Sequence, residues 1–150
     1  MTNLSKRTLA IGCILAGAAV SAFAQATPAG LWKTVDDNTK KEKSLVRIVE
    51  TNGVFSGKVE KIIDPDAPKD ATCKDCSDER KDKPVVGMTI IRNVKASADD
   101  KDTFEGGDIL DPNNGKVYRV RLKPVDGGKT LEVRGYIGPF YRNQTWYRVE

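Results

Sequence analysis

From Thr103 to Val149 the chain alternates apolar and polar residues with a period near two, the pattern of half-buried strands. Pro112-Asn113-Asn114-Gly115 and Asp126-Gly127-Gly128 interrupt the alternation, supplying the asparagine and glycine that positive-φ turn positions favour. Strands joined by turns this short must be antiparallel neighbours, because a parallel return needs a crossover of about a dozen residues or more. Any fold for this chain therefore has to contain an antiparallel meander.

The same signals recur upstream. Residues 30–35 open on Gly30-Leu31-Trp32, and two apolar-alternating runs, 45–51 and 54–62, flank Asn52-Gly53. That dipeptide is a strong hairpin signal, since both central residues of a type I′ turn need φ > 0. Phe55, Gly57 and Val59 fall on one face of the second run. An apolar stretch at 85–94 is read as a further strand, followed by strands at 103–110, 116–123, 130–137 and 144–149. In the meander, Tyr118, Val120 and Leu122 share a face opposite Arg119 and Arg121; Leu131, Val133 and Ile137 share one opposite Glu132, Arg134 and Tyr136. About eight short strands and no amphipathic helix indicate an all-β protein, an antiparallel up-and-down β-barrel closed on itself. Closure also removes the exposed sheet edges that would template aggregation. An eight-stranded barrel is filled by side chains or holds one small ligand.

Residues 1–24 read as a cleaved secretory signal. Lys6 and Arg7 precede an apolar run over 8–20, and Ala22-Phe23-Ala24 fits a small-residue cleavage site. The run falls short of the ~18–20 residues of a bilayer span, so no transmembrane segment is expected. A single domain over 25–150, periplasmic or secreted, is the expected product. Lys6 and Arg7 account for two of the 25 basic side chains, leaving 23 against 21 acidic ones. The charges are interspersed, without the basic stripe of nucleic-acid modules, and no nucleic-acid partner is expected. Histidine is absent. Ser-His and Cys-His nucleophile activation and imidazole-ligated metals go with it.

The segment 64–84 is rich in Asp, Lys and Pro and long for a connection, a class of loop that is functional or mobile. It holds Cys73 and Cys76. In an oxidising compartment such a pair is expected to form a structural disulfide. A redox role would want a helix N-terminus and a depressed thiol pKa, whereas acidic Asp70, Asp75 and Asp78 surround these cysteines. A metal site would need a second ligand pair that the 25–150 segment does not contain. No metal or cofactor is expected.

Aromatic residues are spread over nearly every strand. Trp32, Phe55, Val59, Phe104, Tyr118, Val120, Leu131, Val133 and Trp146 are the candidate barrel lining, as core or as ligand contacts. The leading expectation is non-catalytic binding of a small hydrophobic or amphipathic molecule, lipid- or fatty-acid-like. The alternative is a filled barrel that contacts a protein partner through the 64–84 loop. A third reading is an enzyme, with Asp108 or Asp111 and Tyr118 as its candidate residues.

Gly30-Leu31-Trp32 at the start and Arg148 at the end resemble the barrel-closing signature of lipocalins and calycins. The resemblance implies that Trp32 and Arg148 stack as a structural pair, a cation–π contact worth ~1–2 kcal/mol when desolvated. The chain also resembles the exported bacterial family known as domain of unknown function 2147. The matching stretches are Gly30-Leu31-Trp32, Cys73 and Cys76 with Pro84-Val85-Val86-Gly87, Gly107-Asp108-Ile109-Leu110-Asp111-Pro112, Gly115-Lys116-Val117-Tyr118, Leu131-Glu132-Val133-Arg134-Gly135-Tyr136 and Trp146-Tyr147-Arg148. What that resemblance implies is a lipocalin-like periplasmic barrel, and no reaction.

Overall fold

A computed structural model of the protein describes residues 26–150. The expected leader, residues 1–24, lies outside them. Eight strands form one closed antiparallel barrel in sequential order: β1 (Gly30–Val35), β2 (Glu42–Thr51), β3 (Val54–Ile62), β4 (Thr89–Ala96), β5 (Phe104–Asp111), β6 (Lys116–Val125), β7 (Thr130–Ile137) and β8 (Phe140–Arg148). Closure is made by β1 against β8, with Trp32 opposite Arg148 and Lys33 opposite Tyr147. Among the described residues no helix is long and apolar enough to cross a membrane.

The turn residues act as their chemistry demands. Asn52 and Gly53 take φ of 51° and 79°, as a type I′ turn requires. The starts of β4 and β8 differ most from the sequence reading. β4 starts at Thr89 rather than residue 85, because Val85–Met88 bonds to the rim instead: Val59 N–H donates to Met88 O and Gly87 N–H to Val59 O. β8 starts at Phe140, since Gly138-Pro139 suffices to turn the chain and 140–143 pairs with β7. Ile137 lies on the inward-facing register of β7 as expected, yet it projects beyond the barrel rim and is exposed.

Strand alternation around a closed meander sends the connections to two ends. The turn at 52–53, the loop at 97–103, the turn at 126–129 and the Arg148 end of β8 gather at one end, which is plugged. Trp32, Ile48, Phe55, Val94, Phe104, Val120, Leu122 and Leu131 are all buried there. Phe55 and Phe104 meet edge-to-face with centroids 5.1 Å apart, a geometry the ring quadrupoles favour. The connections 36–41, 63–88, 112–115 and 138–139 ring the opposite end, which is open.

The long connection, 63–88, is a packed flap. Its cysteines form a disulfide, Cys73–Cys76. Both are buried in one apolar cluster with Val85, Met88, Ile90 and Leu110, so the flap covers apolar residues near the mouth-side ends of β4 and β5. Arg80 is buried too, donating to the Thr89 carbonyl at 3.1 Å and to the Asp78 carboxylate at 2.6 Å. This bond holds the Asp78 pKa down at about 2. Asp78 is thus unprotonated in the folded protein over a range where the unfolded chain, titrating near ~3.9, takes up a proton. Its stabilisation is complete above about pH 4 and is lost as pH falls through 2. Acid should therefore loosen the flap over that window in a hydrogen-exchange experiment. In Asp78→Asn the flap should be loose already at neutral pH, with a flatter acid response.

Candidate functional site

Above the plug the barrel is hollow. A cavity of about 250 Å³ opens toward the mouth, near the lower end of the ~300–1,000 Å³ usual for small-molecule sites. Its barrel walls are apolar: Val59 and Ile62 from β3, Ile109 from β5, Val133 from β7 and Trp146 from β8. The flap adds Ala67, Pro68, Ala71 and Val85. Gly135 leaves room for Tyr118: a Cβ there would stand 3.3 Å from the Tyr118 Cβ and 3.5 Å from its ring.

The nine candidate lining residues divide between two levels. Val59, Tyr118, Val133 and Trp146 line the cavity. Trp32, Phe55, Phe104, Val120 and Leu131 face the barrel interior below it and are buried in the plug, where they serve as core. Alternation places a side chain inside a barrel without saying at what height the packing stops.

Polar groups gather at the mouth. Asp64 is 2% exposed and accepts the Lys43 ammonium on one carboxylate oxygen and the Asp66 N–H at 2.9 Å on the other. Chiefly through the Lys43 hydrogen bond, its pKa lies below the ordinary carboxylate value. Arg142 on β8 donates Nε to Asp37 at 2.7 Å, linking β8 to the 36–41 loop and holding the Asp37 pKa down. Thr34 and Ser44 hydroxyls share a hydrogen bond at 2.9 Å, and Trp146 Nε1 donates to Gln144 at 3.0 Å. Lys43, Asp64, Asp37 and Arg142 escaped the sequence reading. Asp64-Pro65-Asp66 makes a turn, and nothing local marks a partner 21 residues away.

Of the carboxylates weighed for catalysis, Asp111 borders the cavity and Asp108 does not. Asp111 Oδ1 accepts Asn113 N–H at 3.0 Å and Asn113 Nδ2 at 3.1 Å, an Asx-type turn at the rim. Asp108 sits opposite Arg119 in the register, on the outer face. Tyr118 Oη accepts from Asn114 Nδ2 at 3.3 Å. Among the described residues no three metal-ligating side chains converge.

At the plugged end, Arg148 lies over the Trp32 ring at 4.2 Å from its centroid. Its guanidinium donates to the carbonyls of Gly128, Ala29 (2.8 Å) and Thr27 (3.1 Å), while Trp32 Nε1 donates to Pro28 O at 2.7 Å. Burial lowers the Arg148 pKa. Gly30 is needed for the same closure, because a Cβ there would collide with the guanidinium and lie 2.9 Å from the Glu150 carbonyl.

The sequence profile of the bacterial family described as "Uncharacterized protein conserved in bacteria (DUF2147)" matches residues 30–148. The chain belongs to this family. No curated protein matches its sequence. Among solved structures it is similar to protein HP1028 from Helicobacter pylori, described as belonging to the lipocalin family, with a TM-score of 0.69 and 22% identity over 83% of this chain and 84% of that one. At that identity the likeness shows a shared lipocalin-type barrel.

Proposed function

We propose that this DUF2147 protein is exported and binds a small amphipathic molecule in the upper half of its barrel, without catalysing a reaction on it. The cavity carries this reading: an apolar chamber of about 250 Å³, closed below by a packed plug and fringed by polar groups at its mouth. At the ~30 Å³ that one water takes in the liquid, it accommodates about eight heavy atoms. That favours a medium-length apolar chain over a full-length lipid tail. The polar end of the ligand would sit among Thr34, Ser44, Tyr118 and Gln144. Export is supported by the basic, apolar and small-residue order of residues 1–24. A partner contact through 64–84 has less support, because the buried side chains of that segment face the barrel.

Octanoate is a suitable probe, and the fluorescence of Trp146 at the cavity wall can report it. Val133→Phe should fill the space and weaken binding at least tenfold, about 1.4 kcal/mol. The unfolding free energy should stay within about 1.5 kcal/mol, because the ring enters a void. Equal binding by this variant, or no binding of octanoate together with no small molecule in solvent extracts of the purified protein, would refute the reading.

A further inference from the structure

The β7–β8 hairpin rises beside the mouth and ends in an unpartnered surface. Phe140 is 74% exposed, Tyr141 60% and Ile137 44%, at a two-residue Gly138-Pro139 turn. Ile137 and Phe140 are paired across the tip, and Tyr136 and Tyr141 are paired one step below. Large apolar side chains clustered in water at one projecting tip mark a site of contact with something less polar.

The charges around the tip say what that is. Of the arginines on the barrel surface, Arg47, Arg92, Arg121 and Arg142 each hold a carboxylate. Arg119 and Arg134 hold none among the described residues, although Asp108 faces Arg119 across the β5–β6 register. Arg134 stacks on Tyr141 at 4.7 Å and donates to Asn143 at 2.6 Å; Arg119 lies 5.9 Å from the Tyr136 centroid. The surface is therefore an apolar tip with two tyrosines behind it and, beside them, two guanidinium groups that form no salt bridge with a described carboxylate. Aromatic residues with polar tips suit the headgroup level of a bilayer, and cations beside them are attracted to anionic lipids. A protein partner would need complementary acidic groups around a pocket for the tip, whereas an anionic lipid surface supplies both features at once.

We propose that the β7–β8 hairpin docks this protein onto an anionic lipid surface, Ile137 and Phe140 entering the interface while Arg119 and Arg134 meet the headgroups. The docking turns the cavity mouth toward the lipid, because the hairpin and the mouth share one end of the barrel. It does not depend on the cavity being occupied.

Co-sedimentation with vesicles tests it. The purified protein should partition onto phosphatidylcholine vesicles containing phosphatidylglycerol about tenfold more than onto phosphatidylcholine alone, and less as salt screens the charges. Phe140→Ser with Tyr141→Ser, and separately Arg119→Gln with Arg134→Gln, should each reduce partition about tenfold. Their thermal unfolding should stay close to that of the unmodified protein. Val133→Phe, which fills the cavity, should partition normally. Absence of binding, equal binding to both vesicle types, or unchanged partition in the Phe140/Tyr141 variant overturns the proposal. So does a co-purifying protein lost from that variant while vesicles remain unbound, since the tip would then serve a protein partner.

Discussion

Trp32→Ala is expected to lower the unfolding free energy by about 3–5 kcal/mol, the range of large-to-small substitutions at fully buried aromatic sites. The indole is 0% exposed and sits where β1 and β8 close the barrel. Its removal leaves a hole in the plug that the surrounding strands cannot collapse into, because both are held in register by the closure itself. It also takes away the face on which Arg148 rests and the donor to Pro28 O. Stabilities of domains this size are about 5–15 kcal/mol, so the loss is a large share of the total. Trp32→Phe keeps most of the volume and should cost less, chiefly the unmet Pro28 carbonyl. Arg148→Met separates packing from charge: it leaves the Thr27, Ala29 and Gly128 carbonyls without their donor. A double-mutant cycle in urea between Trp32→Ala and Arg148→Met should show a coupling of about 1–2 kcal/mol. A Trp32→Ala cost below about 1 kcal/mol would mean that the stacked pair does not secure the closure.

Gly115→Ala should have the next largest effect, and its damage should be local. Gly115 has φ of +69° in the β5–β6 turn, a conformation that costs an L-residue roughly 1–2 kcal/mol. An added Cβ would also run into the Asp75 carbonyl and stand 2.7 Å from Cys76 N, so the disulfide turn of the flap would have to lift. Combined, these should cost about 2–3 kcal/mol. Hydrogen exchange should speed up across 63–88, while the plug around Trp32 stays protected. Octanoate should be released faster, because the flap forms one wall of its site. Removing the disulfide with Cys73→Ala and Cys76→Ala should do less than Gly115→Ala. The bridge spans a separation of three residues and restricts the unfolded chain little, and the flap keeps its hydrogen bonds from Cys73 N to Lys83 O and from Val85 N to Ala71 O. The opposite ranking would show that the crosslink, and not seating on the turn, keeps the flap down.

Much of the barrel was readable because it rests on local rules. A period of two marked six of the eight strands closely, Asn52-Gly53 set one hairpin, and the alternation correctly turned Tyr118 inward and Arg119 outward. The Gly30-Leu31-Trp32 opening and terminal Arg148 pointed to the closing stack because both are carried by short, recognisable stretches. The errors have a common origin. Val85–Met88 and 140–143 depart from the pattern because an apolar run does not say whether its backbone partners are a strand or a flap, and because Gly138-Pro139 turns the chain in only two residues.

For the site, the ingredients are legible in the residues: an all-β chain without histidine, with inward aromatics and a cysteine pair in a charged loop. Those follow from composition and periodicity, properties of single residues and near neighbours. It takes the folded barrel to show that the plug ends at the level of Trp32, Phe55 and Phe104, that a cavity remains beside Val133 and Trp146, and that the 63–88 segment roofs it. The height of the packing depends on the summed volume of side chains from eight strands, and the Lys43–Asp64 and Arg142–Asp37 pairs join residues 21 and 105 positions apart. Local pattern specifies which way a side chain points; closing the barrel determines what it meets there.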